Sequence, residues 1–252
     1  MTIGILAAMP QEIEHVVRDV RADQVFESGM RTYHRGELHG RECVVTLSRV
    51  GKVAAAATAM HLILELGVSE IIFTGVAGAL SPELNVGDVV VASELIQHDL
   101  DARPLFPRFE APLLGVSRFG IASGRVARAD QASRRYLSDD LTDSILESDR
   151  DRFNLLAPRV WTGLIASGDQ FITSHEARDA IRDALPDALC VEMEGAAVAQ
   201  VCHEHGTPLT VIRTISDAAD DAAPVDFSAF IERVASEYSR GIVRRLLSDA
   251  GD

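Results

Sequence analysis

Short apolar runs alternate with stretches of helical period along most of this chain. Residues 2–7, with Ile3, Ile5 and Leu6, read as a buried strand, and Pro10 suits the first turn of the helix that follows. Residues 26–33 and 35–47 read as antiparallel strands, with turn signals at Ser28-Gly29 and His39-Gly40. Val50-Gly51-Lys52 opens an alanine-rich helix that Gly67 closes. Residues 70–74 form a second buried strand ending in Gly75-Val76-Ala77-Gly78, for which a tight turn is the simpler reading. Another strand covers residues 86–96. Residues 97–120 then lose any clear period and carry Pro104, Pro107 and Pro112, which marks a long functional or interface segment. A helix is expected over 130–145, a strand over 159–166, and a helix capped by Ser174. A short strand at 189–191 leads into a helix reaching His205, and residues 207–214 form the last strand. Asp226 is placed to cap a C-terminal helix whose apolar positions run from Phe227 to Leu246. This alternation predicts one three-layer α/β/α domain over residues 1–252 with a central mixed sheet.

Composition narrows the function. Of the 252 residues 47% are hydrophobic, enough for a sizeable core, and the formal net charge is −14. No run of Lys or Arg occurs, which argues against a nucleic-acid surface. No apolar stretch approaches the roughly 18 residues of a membrane span. Cys43, Cys190 and Cys202 show neither metal-finger spacing nor an even count. The expected setting is reducing and cytoplasmic.

Three acidic residues share one situation. Glu12, Glu194 and Asp217 each lie just past an expected core strand, where open α/β sheets bind ligands. If those strands are parallel neighbours, the three side chains converge at one rim. Glu192 stands two before Glu194, and the pair also suits a helix N-terminus. Such a cluster can hold a hard metal, or can stabilise positive charge and move protons. No ligand loop supports the metal. His203 and His205 fit the polar end of a helix, and His98-Asp99 reads as a site pair or as structural pairing.

In order, Ile3-Gly4-Ile5 with Ala8-Met9 and Glu12, Val50-Gly51-Lys52-Val53-Ala54, Thr74-Gly75 with Ala77-Gly78, Val86-Gly87-Asp88-Val89-Val90, Ser167-Gly168-Asp169 with Phe171-Ile172, Val191-Glu192-Met193-Glu194, and Arg213 with Ile215-Ser216-Asp217 cover almost the whole chain. Together they resemble the 5′-methylthioadenosine/S-adenosylhomocysteine nucleosidases of the nucleoside phosphorylase superfamily. The resemblance implies a nucleoside phosphorylase-like fold and hydrolysis of the N-glycosidic bond of 5′-thio-substituted adenosines, without metal or cofactor. It implies that Asp217 is the general acid toward adenine N7 and that Glu12 is the base for water. Glu194 would accept the ribose hydroxyls, Met193 would pack on the sugar, and Arg213 would orient Glu194 or the water. Phe171 would stack on adenine, the Ile172 backbone would read its edge, and Ser216 would orient Asp217. Val50 and Phe227 would line the 5′ end. Ala8, Met9, Ala77, Gly78 and Glu192 complete the implied substrate contacts. Leu105, Phe106, Phe109 and Pro112 would reach the neighbouring subunit's 5′ pocket in a homodimer. The family often has Ser where Val76 stands, and residues 100–114 depart from its common bacterial form.

Three alternatives stay open at this point. They are a purine nucleoside phosphorylase, a nucleosidase acting on futalosine or adenosine monophosphate, and a nucleoside-binding module without turnover. The last has no use for a general base.

Overall fold

Apolar runs become strands and periodic stretches become helices in the computed structural model, which describes residues 1–221 and 223–248. In chain order the elements are β1 (Ile3–Ala7), α1 (Pro10–Asp19), β2 (Arg21–Ser28), β3 (Arg31–Leu38), β4 (Arg41–Leu47) and α2 (Lys52–Leu64). Then come β5 (Glu70–Ala79), β6 (Val89–Gln97), β7 (Arg118–Gly120), α3 (Ser123–Arg135), α4 (Leu141–Ser144), α5 (Glu147–Arg152) and β8 (Val160–Ser167). The chain closes with α6 (His175–Ala184), β9 (Ala188–Glu192), α7 (Gly195–His205), β10 (Leu209–Asp217), α8 (Ala223–Phe230) and α9 (Ser236–Ser248). The side chain of Asp226, the expected cap, lies outside the described residues. Among the described residues, no helix is long and apolar enough to cross a membrane.

The central sheet is mixed, as expected. Its order is β10-β6-β8-β9-β5-β1-β4-β3-β2, and β10 also pairs with β5. Strands β5, β10, β6, β8 and β9 therefore close a ring, while β1, β4, β3 and β2 extend from it as a wing. One apolar layer joins the sheet to α1, α3 and α9 through Ile13, Val16, Ala129, Ile242 and Leu246. A second joins it to α2 and α7 through Ala55, Ala59, Leu62, Val198 and Cys202.

One expectation is overturned. Gly75-Val76-Ala77-Gly78 is not a turn but the continuation of β5, in register with β10 from Gly75↔Arg213 to Gly78↔Asp217. The glycines are there for space. A Cβ on Gly75 would lie 2.7 Å from Glu12 Oε1, and one on Gly78 would lie 2.9 Å from Asp217 Oδ1. Lesser shifts concern boundaries. Helix α3 starts at Ser123, ahead of the expected 130, because its first turns are polar and show no apolar period.

Candidate active site

Strands β1, β5 and β10 run parallel, and β5 and β10 continue past the end of β1. Their carboxyl ends bring Glu12, the 75–78 segment and Asp217 to one rim. Strand β9 runs antiparallel to β5 but meets only its end, at Gly78↔Val191. It thus delivers Glu192 and Glu194 to the same rim from the opposite direction. Convergence holds although one strand breaks the all-parallel condition.

Glu12 is buried. Its Oε2 accepts from the backbone N–H of Ala8 (2.9 Å) and of Met9 (2.7 Å), and its Oε1 accepts from the N–H of Val76 (3.0 Å). Burial raises its pKa above the ordinary value, against the opposing pull of Arg213 and the three N–H donors. Glu194 is buried as well and accepts from Gly51 N–H at 2.7 Å. Burial and the neighbouring Glu192 push its pKa up. Gly51, at φ 96°, caps α2 in a conformation that suits glycine.

Glu192 anchors the corner. Its carboxylate accepts from Gly195 N–H and Glu194 N–H, from the Ser167 hydroxyl, and from Arg213 Nη2 at 2.8 Å. Arg213 is 2% exposed; its Nη1 also donates to the carbonyls of Phe73 and Ile212, and its guanidinium lies 4.2 Å from the Phe73 ring centroid. The guanidinium pairs directly with Glu192 and reaches Glu194 through its charge. A lone arginine in the apolar run of β10 was the available signal for a buried acidic partner.

Asp217, also buried, accepts from the Ser216 hydroxyl at 2.7 Å and from Ala219 N–H at 2.9 Å. A small adjoining pocket is lined by Gly78, Gln170, Phe171, Ile172, Met193 and Asp217. Phe171 is half-exposed and meets Phe227 edge to face at 5.2 Å.

A cleft of about 450 Å³, mouth included, collects Ala8, Met9, Glu12, Val50, Ala77, Gly78, Phe171, Glu192, Met193, Glu194, Ser216, Asp217 and Phe227. Val76 lines it too. Of the expected site residues, Ile172 lines only the adjoining pocket and Arg213 stands behind the wall. Leu105, Phe106, Phe109 and Pro112 line neither. Phe109 packs against the cluster of Leu80, Ile96 and Ile172 in its own chain. Leu105 and Pro112 are exposed and Phe106 is half-buried. None of the described residues lining the cleft is Lys or Arg.

Sequence reasoning underrated a clasp beside the cleft. Asp99 takes a 2.6 Å ion pair from Lys52 Nζ and accepts from Asp169 N–H at 2.9 Å. Asp169 in turn accepts from Lys52 N–H at 2.8 Å. The clasp ties the Gly51 loop, which holds Glu194, to the loop carrying Phe171. His98 is buried against Gly168, and burial lowers its pKa. Among the described residues, no group of His, Cys, Asp and Glu has metal-holding geometry.

The family model described as "Phosphorylase superfamily" matches residues 2–248. The 5′-methylthioadenosine/S-adenosylhomocysteine nucleosidase of Shewanella denitrificans is 33% identical over 251 residues, covering 99% of this chain and all of the relative. The aminodeoxyfutalosine nucleosidase of Helicobacter pylori is 36% identical over 239 residues, covering 94% of each. Among solved structures, the methylthioadenosine/S-adenosylhomocysteine nucleosidase of Neisseria meningitidis with methylthio-immucillin-A superposes with a TM-score of 0.85 at 32% identity, covering 98% of this chain and 99% of that one.

Proposed function

This chain belongs to the phosphorylase superfamily, and we propose that it is an N-glycosyl hydrolase that splits 5′-methylthioadenosine and S-adenosylhomocysteine into adenine and the 5′-substituted ribose. One observation carries hydrolysis over phosphorolysis. The described residues lining the cleft include Glu12, Glu192, Glu194 and Asp217 and no Lys or Arg, and Arg213 behind them is committed to Glu192. Phosphate entering there meets carboxylates, whereas water meets a base.

In this reading Asp217 donates its proton to adenine N7 as the C1′–N9 bond breaks. The ribose takes on oxocarbenium character, which Glu194 and Glu12 stabilise more in the transition state than in the ground state. Glu12 takes a proton from the attacking water, and the hydroxyl joins C1′. Three backbone N–H groups hold the Glu12 carboxylate in place. Ser216 orients Asp217, Phe171 and Ile172 enclose the base, and Met9, Val50 and Phe227 face the 5′ substituent.

We also read the chain as one unit that works as a homodimer in the cytoplasm. The support is an apolar surface on the 100–114 segment, where Leu105 is 82% and Leu113 92% exposed, and three buried free thiols. Leu105, Phe106 and Pro112 then meet the partner near its 5′ pocket, while Phe109 serves its own core. Phe106→Ala should raise KM for methylthioadenosine more than it lowers kcat, and sedimentation should give a dimer. A fully active monomer at assay concentration contradicts the shared pocket.

The deciding assay follows adenine release from methylthioadenosine with and without phosphate. Ribose 1-phosphate among the products would move the protein to the phosphorolytic branch. A futalosine-type substrate belongs in the same panel, given the Helicobacter pylori relative.

A further inference from the structure

The cleft has two ends. Asp217, Phe171 and Gly78 border the adjoining base-side pocket, whereas Met9, Glu12 and Val50 line only the cleft itself. Met9 is followed by Pro10, and Val50 is preceded by Arg49. Pro10 and Arg49 both line a separate groove between α1 and the β3–β4 wing, about 1020 Å³ with its mouth. The ridge of residues 9–10 and 49–50 is thus shared by cleft and groove.

The groove's charge opposes that of the chain. Its described lining holds Arg18, Arg31 and Arg49 against Glu14, within a protein of net charge −14. Arg18 is paired with Glu14 at 3.0 Å. The other two guanidinium groups rest on neutral carbonyls. Arg31 donates to Gly29 O (2.9 Å) and Ala54 O (3.1 Å), and Arg49 donates to Met30 O. No carboxylate among the described residues lies within ion-pair distance of either. The backbone of Arg49 is at φ 67° and that of Met30 at φ 60°, a region that side chains of this size seldom occupy. Unusual backbone at a rim is a pointer toward function.

We propose that this groove holds the far end of a long 5′ substituent, with Arg49 receiving a terminal carboxylate such as that of the homocysteine tail. The inference rests on the nucleosidase reading above. Apolar Met9 and Val50 pass the thioether over the ridge, and the tail then meets Arg31 and Arg49, which have no anionic partner among the described residues. A methylthio group stops short of the ridge and gains nothing from Arg49.

Three substrates test this: methylthioadenosine, 5′-butylthioadenosine as the neutral long tail, and S-adenosylhomocysteine. Arg49→Gly keeps the left-handed backbone comfortable while removing the cation, and Arg49→Glu reverses the charge. The ratio of kcat/KM for S-adenosylhomocysteine over butylthioadenosine should fall about fivefold in the glycine variant, the scale of an exposed ion pair. It should fall at least about tenfold in the glutamate variant, and raising salt to about 0.5 M should erode the parent's ratio. A ratio within about 1.5-fold of the parent in both variants overturns the subsite. So does an equal loss for both long substrates, which would mean apolar contact and not charge. A parent that releases adenine from none of the three overturns the nucleosidase reading itself, and the subsite falls with it.

Discussion

At one end of the cleft Glu12, Glu192 and Glu194 crowd around a buried guanidinium. At the other, Asp217 sits against a hydroxyl and a backbone N–H. The residue types are nearly the same and the surroundings are not. Near Arg213, a cation opposes the burial that raises the pKa of Glu12 and Glu194. Asp217 accepts from the Ser216 hydroxyl and the Ala219 N–H, and in the proposed reaction it gives its proton to the base. The proposed reaction asks opposite proton traffic of similar side chains at the two ends, with Glu12 taking a proton and Asp217 giving one.

The sharpest way to break this contrast is to neutralise each end. Glu12→Gln and Asp217→Asn should each cost about 10²–10⁴-fold in adenine release. With a p-nitrophenyl riboside, whose leaving group needs no proton, the Asp217 variant should recover most of its loss and the Glu12 variant should not. Parallel losses on both substrates would dissolve the distinction. Next in size is Arg213→Met, which leaves Glu192 buried without its cation. Denaturant unfolding should show a loss of about 3–5 kcal/mol, far more than any substitution of the exposed arginines.

Smaller effects separate the ends by space. Gly75→Ala would push a Cβ to 2.7 Å from Glu12 Oε1, and Gly78→Ala would meet Asp217 Oδ1 and Ala219 Cβ, both at 2.9 Å. Each should cost about 1–3 kcal/mol through overpacking. Only the second should spare activity on the activated riboside. A pH dependence tests the buried end by itself. The folded pKa of Glu194 is raised, so its contribution to stability is fully present below the ordinary value of 4.5 and is lost as pH rises through the folded value. Glu194→Gln should match the parent's Tm near pH 4 and exceed it at alkaline pH, by about 2–4 °C for each kcal/mol recovered. A constant offset across that range would mean that burial does not penalise the charge.

The acidic rim was legible because Glu12, Glu194 and Asp217 each follow an apolar run, and such runs end at one edge of an α/β sheet. The ring was not, because pairing of β5 with both β9 and β10 leaves no local pattern. Gly75 and Gly78 misled for a physical reason. A glycine that makes room for a neighbouring carboxylate looks, in one dimension, like a glycine that turns the chain. The Asp99–Lys52–Asp169 clasp joins three loops far apart in sequence, and only His98-Asp99 at a strand end hinted at it. The apolar 100–114 segment was legible as unusual. Its split between Phe109, packed at home, and Leu105, left outside, follows from tertiary packing.

The closed cycle of strands has a consequence for error. In an open sheet an edge strand can slip at the cost of a single interface. Here β10 is paired in fixed register with β5 and with β6, and β6 with β8, β8 with β9, and β9 back to β5. A slip at one seam must be undone at another before the figure closes again. The spacing between Arg213 and Asp217 on β10 and Gly75 and Gly78 on β5 is therefore over-determined, like a length measured around a loop from both sides.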